Sequence, residues 1–235
     1  MKKIISVIFA ALLAIPFFCK ASSAAAPPKK DGVVFSGSVS SGKRIALTFD
    51  DGPHPTKTKE ILDILDKYDV KATFFIIGVN AERYPEIIAD EAARGHELAN
   101  HSYSHKNLSK ICDDKIKEEI EKTDEIIEKA ANITPKLFRP PTGAYSESIV
   151  KVAKEFGKTT IIWTVDTLDW ANAPKDDIVK NIKSNVQSGS IILFHDFTGK
   201  ESHTKDALDT IIPYLKEQGY EFVTVSELIE EPSEQ

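Results

Sequence analysis

Cysteine is scarce: Cys19 and Cys112 are the only two in 235 residues, too few for a disulfide framework. Positive charge is not in excess either. Thirty Lys and Arg stand against 36 Asp and Glu, a formal net charge of -6, which speaks against a basic nucleic-acid-binding face. With 11 Gly and 12 Pro the chain is neither collagen-like nor low-complexity, and it carries no internal repeat. The longest N-terminal apolar run, residues 4–18, falls short of the ~20 residues that span a bilayer. No glycine-rich phosphate loop follows the first predicted strand, where Asp50, Asp51, Gly52 and Pro53 stand instead, so nucleotide binding loses its main support. What remains, 41% hydrophobic and 28% charged, is an ordinary globular composition of a size for one domain.

The N-terminus reads as a targeting segment. Lys2 and Lys3 precede the apolar run, and small residues over 21–26 follow it, with Ala24 and Ala26 as a cleavage pair. The expectation is a signal peptide over 1–26, a flexible tether over 27–41, a folded domain over 42–230 and a tail over 231–235. The protein is then exported, secreted or in the cell envelope, with no stable membrane insertion after cleavage. Phe18 before Cys19 argues against lipidation. Cys112 becomes the sole cysteine, expected as a packed small residue.

Beyond the tether, apolar runs and helical periodicity alternate. Strands are expected at 44–49 (RIALTF), 72–77 (ATFFII), 96–99, 137–138, 159–165 (TTIIWTV), 190–194 (SIILF) and 221–225. Helices are expected at 59–68, 81–94, 115–130, 147–156, 177–186 and 205–218. About seven strands alternating with helices fit either an open doubly wound sheet or a closed (β/α) barrel.

Polar residues cluster just past the strand ends. Asp50 and Asp51 follow the first strand, His101 and His105 the third, and Arg139 the fourth. Asp166, Asp169 and Trp170 follow the fifth, and His195 and Asp196 the sixth. In a barrel of parallel strands those ends converge on one face, where active sites are built. Loop polarity alone explains any one cluster but not five of Asp, His and Arg together. His101 and His105 stand four apart, a spacing that lets two imidazoles reach one ion from a helical turn. Asp51 could complete a two-His, one-carboxylate set with open positions for water and substrate, which suits zinc and also non-heme iron. Asp50 points the other way on an extended chain unless the turn bends sharply, so one carboxylate can bind metal while the other takes a proton.

Five ordered stretches resemble the polysaccharide deacetylases with a NodB-homology domain, a carbohydrate esterase family: Thr48-Phe49-Asp50-Asp51-Gly52, His101-Ser102-Tyr103-Ser104-His105, Arg139-Pro140-Pro141-Thr142-Gly143, Asp166-Thr167-Leu168-Asp169-Trp170 and Leu193-Phe194-His195. The resemblance implies a distorted (β/α) barrel with its active site at the C-terminal strand ends, and metal-dependent removal of acetyl groups from a glycan polymer. It implies Asp51, His101 and His105 as ligands of a divalent metal, usually zinc; Asp50 as base, oriented by Arg139; and His195 as acid, tuned by Asp169. Trp170 and Leu193 would line the groove, and the Thr142 N–H would help stabilise the oxyanion. Thr142 departs from the family's usual Tyr, which bears on groove shape more than on a main-chain donor.

The expected activity is that of an exported polysaccharide N-deacetylase, with peptidoglycan the favoured polymer because of its location. Chitooligosaccharide deacetylation and O-deacetylation of acetylated xylan are the alternatives. A non-catalytic glycan-binding module would have lost Asp50 or His195, and both are present. A glycosidase could pair Asp50 with Asp169 but has no use for the two histidines. An iron oxygenase would need a cosubstrate.

Overall fold

A computed structural model describes residues 32–37, 42–197 and 202–230. The segment expected to be a signal peptide and the tail over 231–235 lie outside the described residues. In chain order the elements are β1 (Val33–Val34), β2 (Arg44–Asp50), α1 (Lys57–Lys67), β3 (Thr73–Ile76), α2 (Gly78–Arg83), α3 (Pro85–Ala93), β4 (Glu97–Asn100), α4 (Asp113–Ala131) and β5 (Leu137–Phe138). There follow α5 (Glu147–Glu155), β6 (Thr159–Ile161), β7 (Val165–Asp166), α6 (Lys175–Asn185), β8 (Ile191–His195), α7 (Thr204–Glu217), β9 (Glu221–Phe222) and α8 (Val225–Ile229).

The strands form one parallel sheet in the order β1-β6-β5-β4-β3-β2-β8-β7, with β9 added beside β2. That order forces closure. On a flat sheet β6 and β7 would lie about 29 Å apart at ~4.8 Å per strand. Only residues 162–164 join them, which reach about 14 Å. The sheet must therefore curl into a distorted (β/α) barrel. Residues 162–164 bridge its seam, with the Ile162 N–H donating to the Val34 carbonyl and the Thr164 N–H to that of Ile191.

The two-residue period of each strand sorts side chains between two cores. Ile45, Leu47, Phe49, Phe74, Ile76, Leu98, Ile192 and Phe194 face outward and pack under the helices. Phe49 stacks on Phe74 and Phe194 at centroid distances of 5.1 and 5.7 Å. Ala46, Phe75, Ala99, Leu137, Ile161 and Ile191 form a separate interior cluster. Continuing that inward set upward along the strands leads to Asp50, His101, Arg139 and His195.

Five expectations differ from the observed structure. The tether over 27–41 is not free throughout: Val33 and Val34 pair with Thr160 and Ile161, because an apolar dipeptide can add to the exposed edge of β6. The helix expected over 81–94 is two helices, since Pro85 excludes helical geometry at Tyr84 (φ -133°, ψ 53°). The strand expected over 159–165 splits into β6 and β7 at the seam, which with β1 raises seven strands to nine. The last strand ends at Phe222, and Thr224 and Glu227 form a capping box that starts α8, an element the apolar pattern did not reveal. Cys112, expected as a packed residue, is exposed at the N-cap of α4, where the chain turns into a surface helix.

Helix α8 closes the N-terminal end of the barrel. The Val225 N–H donates to Thr73 Oγ1 at 2.9 Å, Ser226 bonds the Glu97 carboxylate, and Val225 and Leu228 join the interior cluster. Leu228→Ala should therefore lower the unfolding free energy by ~2–4 kcal/mol. Urea denaturation measures it, and a loss below about 1 kcal/mol would show that α8 is no plug.

Candidate active site

Asp50 ends β2 and Asp51 follows it in a left-handed conformation (φ 76°). That sharp bend defeats the alternation of an extended chain and turns both carboxylates into one cleft. It also needs Gly52, because a Cβ there would meet the Asp196 carboxyl within 2.1–2.5 Å. The HSYSH segment is not the expected helical turn. It is a loop with Ser102 (φ 67°) and His105 (φ 54°) left-handed, held where Asn100 Oδ1 accepts the Ser102 N–H and Glu119 accepts the Ser104 N–H and hydroxyl. The loop still brings the imidazoles together, with ring centroids 5.1 Å apart.

Asp51 Oδ1 lies 3.5 Å from His101 Nε2 and 3.2 Å from His105 Nε2, and one ligand atom from each residue falls within 4.8 Å of the others. His101 Nδ1 is 2.7 Å from the Arg139 carbonyl, so it carries the proton and leaves the Nε2 lone pair facing Asp51. Asp51 Oδ1 is buried without a hydrogen-bond partner. An orphaned carboxylate oxygen between two imidazole nitrogens is what a cation site requires, and this donor set suits zinc. Despite burial, Asp50 and Asp51 raise the pKa of His101, whereas burial and His101 push that of His105 down.

Asp50 is held apart from this set. Arg139 Nη1 donates to Asp50 Oδ1 at 2.6 Å and to Thr48 Oγ1 at 2.9 Å, and the guanidinium lies 3.9 Å from the centre of the Phe75 ring, wholly buried. Asp50 Oδ2 remains turned to the cleft, 3.6 Å from His101 Nε2.

On the strand next to Asp50, His195 Nδ1 bonds Asp169 Oδ1 at 2.8 Å, and among the described residues no hydrogen bond occupies Nε2. Burial disfavours the imidazolium, but the Asp169 bond and the charges of Asp169, Asp50 and Asp51 outweigh it and push His195 up to about 9. A cation beside Asp51 would repel that imidazolium and bring the value down again. Asp196 lies beneath: Thr58 Oγ1 donates to Oδ2 at 2.5 Å, while burial outweighs this bond and raises the carboxyl to about 7.

Asp50, Asp51, His101, His105 and His195 line a cleft of about 360 Å³ together with Thr142, Trp163, Asp166, Trp170 and Leu193. Thr142 is left-handed (φ 60°) in the turn Pro141–Gly143. Trp170 is 54% exposed, open to a ligand, with its indole N–H bonded to Asp166 Oδ1 at 3.2 Å, while Leu193 is buried at the cleft floor. All ten residues singled out for the site meet at one mouth of the barrel. Asp166, placed among the strand-end clusters without a role, joins them, and Trp163 was not foreseen although the inward alternation from Ile161 points to it. His54, on the loop after Asp51, accepts the Thr56 and Lys57 N–H groups at the start of α1 and stacks on Phe197.

Fold and site together define a barrel-mouth hydrolase site with a three-residue cation set, a separate carboxylate and a paired histidine. Residues 38–161 match the family described as polysaccharide deacetylase. Over 207 residues the chain is 42% identical to a peptidoglycan-N-acetylglucosamine deacetylase of Bacillus cereus, covering 88% of this chain and 75% of that protein. A crystal structure of a peptidoglycan N-acetylglucosamine deacetylase superposes with TM-score 0.81 at 42% identity, covering 87% of this chain and 95% of the other. A CE4 family pseudoenzyme from Bacillus anthracis superposes with TM-score 0.79 at 35% identity, covering 84% and 69%. The chain belongs to the polysaccharide deacetylase family.

In metal-free protein His195 should titrate near 9, read by histidine NMR, and adding zinc should lower that value in the wild type but not in His101→Ala. The linked stability has a definite sign. The His195–Asp169 pair contributes fully below the ordinary value of 6.5 and loses its contribution as pH rises through about 9. The stability gap between wild type and Asp169→Asn should narrow over that window, and a gap constant from pH 6 to pH 10 would contradict the pairing.

Proposed function

We propose that the protein is an exported, metal-dependent N-deacetylase that hydrolyses the acetamido groups of amino sugars in peptidoglycan. One observation carries the catalytic part: three separately anchored groups face one cleft, namely the Asp51–His101–His105 set, Asp50 on Arg139 and His195 on Asp169. Likeness to a pseudoenzyme shows that membership of the family does not by itself confer activity, so the complete residue set matters. The polymer is inferred from the Bacillus cereus relative's named substrate, and export from the N-terminal pattern of Lys2, Lys3 and the apolar run.

A divalent cation held by Asp51, His101 and His105, proposed as zinc, would supply Lewis acidity toward the acetyl carbonyl and lower the pKa of a water in the cleft. Asp50 takes a proton from the attacking water through Oδ2, while Arg139 keeps Oδ1 occupied and the carboxylate aimed. Thr142 lines the cleft, and its N–H would serve the oxygen that gains negative charge. His195 delivers a proton from Nε2 to the departing amine nitrogen, and acetate and a free amine result. Leu193 shapes the floor for the acetyl methyl, and the exposed Trp170 ring offers a face to a sugar.

The test is acetate release by the purified protein from peptidoglycan, chitin oligomers and acetylated xylan, with and without a chelator. Peptidoglycan should give the highest rate, chelation should abolish it and zinc restore it. Asp50→Asn should bind zinc as the wild type does and release acetate at least ~100-fold more slowly. Undiminished release by Asp50→Asn would remove it as the base, and preference for acetylated xylan would make the enzyme an esterase.

A further inference from the structure

Asp169 sits on a loop. The single turn Asp169–Ala171 is entered through left-handed Leu168 (φ 61°) and left through left-handed Asn172 (φ 61°). Its carboxylate accepts four donors: His195 Nδ1 and the Trp170 N–H on Oδ1, and the His195 N–H and Thr204 Oγ1 on Oδ2. Three of these belong to the catalytic histidine or to Asp169's own loop. Thr204 is different. It is the first residue of α7, whose Ala207, Leu208, Ile211 and Ile212 are fully buried in the outer core.

The direction of the hydrogen bonds follows from proton counting. Thr204 Oγ1 has one hydrogen, and the carboxylate 2.7 Å away can only accept it. In the 2.6 Å contact between the two hydroxyls, Ser202 must therefore be the donor. Ser202 Oγ in turn accepts the Thr204 N–H at 3.2 Å, which ties it to the start of the same helix. Each donor in the series thus polarises the next toward Asp169. Thr204 is 2% exposed, whereas Ser202 is half-buried and borders a second cavity of about 260 Å³ that shares His195 with the catalytic cleft.

We propose that Ser202 and Thr204 are positioning residues for deacetylation: a one-way pair of hydroxyl donors that anchors Asp169 to α7 and thereby fixes the direction of His195 Nε2. The inference rests on the acid role given to His195. Without the Thr204 hydroxyl, Asp169 Oδ2 keeps only the His195 N–H from β8, and the loop loses its tie to α7.

The experiment uses the full chain loaded with zinc. Thr204→Val, nearly equal in shape, should lose about tenfold in kcat with KM and zinc affinity unchanged, and Thr204→Ser should restore the rate. A histidine NMR readout needs no substrate. The His195 Nδ1–H resonance, identified by its loss in His195→Gln, should be protected from exchange in the wild type and Thr204→Ser and unprotected in Thr204→Val. A kcat within twofold of the wild type for Thr204→Val, an equal loss in Thr204→Ser, or a parallel loss of zinc affinity would each overturn the proposal. Should Thr204→Val not fold, Ser202→Ala decides: about threefold lower kcat supports the proposal, and no change overturns it. A wild type that releases no acetate would defeat the deacetylase reading instead, with the resonance still deciding the positioning role.

Discussion

The site depends on a buried ion pair between Arg139 and Asp50 in the upper interior of the barrel. A guanidinium without solvent exposure is costly, and the 2.6 Å contact with Asp50, the Thr48 hydroxyl and the Phe75 ring face are what offset that cost. The same residue acts twice. Its side chain aims Asp50, and its carbonyl takes the Nδ1–H of His101, which sets the tautomer that turns Nε2 toward Asp51. One residue at the end of β5 thus links the group that moves a proton to the group that holds a cation. Pairs of this kind are weak sources of stability, so function is the better reason for its presence.

Closure of the sheet is what brings Arg139 there. Strands β2 and β5 are not neighbours, since β3 and β4 lie between them, and in a flat sheet their ends would be about 14 Å apart. Curling turns the inward faces toward one another, so side chains from β2, β4, β5 and β8 share a single cavity. Helix α8 closes the other end. The barrel therefore has one open mouth, and its polar residues are confined there while Ala46, Phe75 and Leu137 keep the layer below apolar.

Most of this arrangement was legible in the chain. Polar residues just past apolar strand runs pointed to the barrel mouth, and the ordered stretches from Thr48 to His195 resembled the family that the comparisons establish. What was hidden depends on contacts distant in sequence or on backbone strain. The break at the seam follows from Ile162 and Thr164 bonding different partners, which a uniform β-branched run does not disclose. The bend at Asp51 follows from packing of Asp196 beneath Gly52, 144 residues further along the chain, and from Asn80 Nδ2 donating to the Asp51 carbonyl. The short helix α8 has only a capping box as its signal, because five residues show too little periodicity. Cys112 shows that an apolar neighbour such as Ile111 says little about burial where a helix begins.

Anomalous diffraction from a crystal of the protein grown with zinc tests whether one cation sits between Asp51, His101 and His105. A single strong peak is expected about 2.0–2.2 Å from Asp51 Oδ1 and from Nε2 of both histidines, with Asp50 still bound to Arg139. Zinc found elsewhere, or coordinated by Asp50 in place of Asp51, would contradict it.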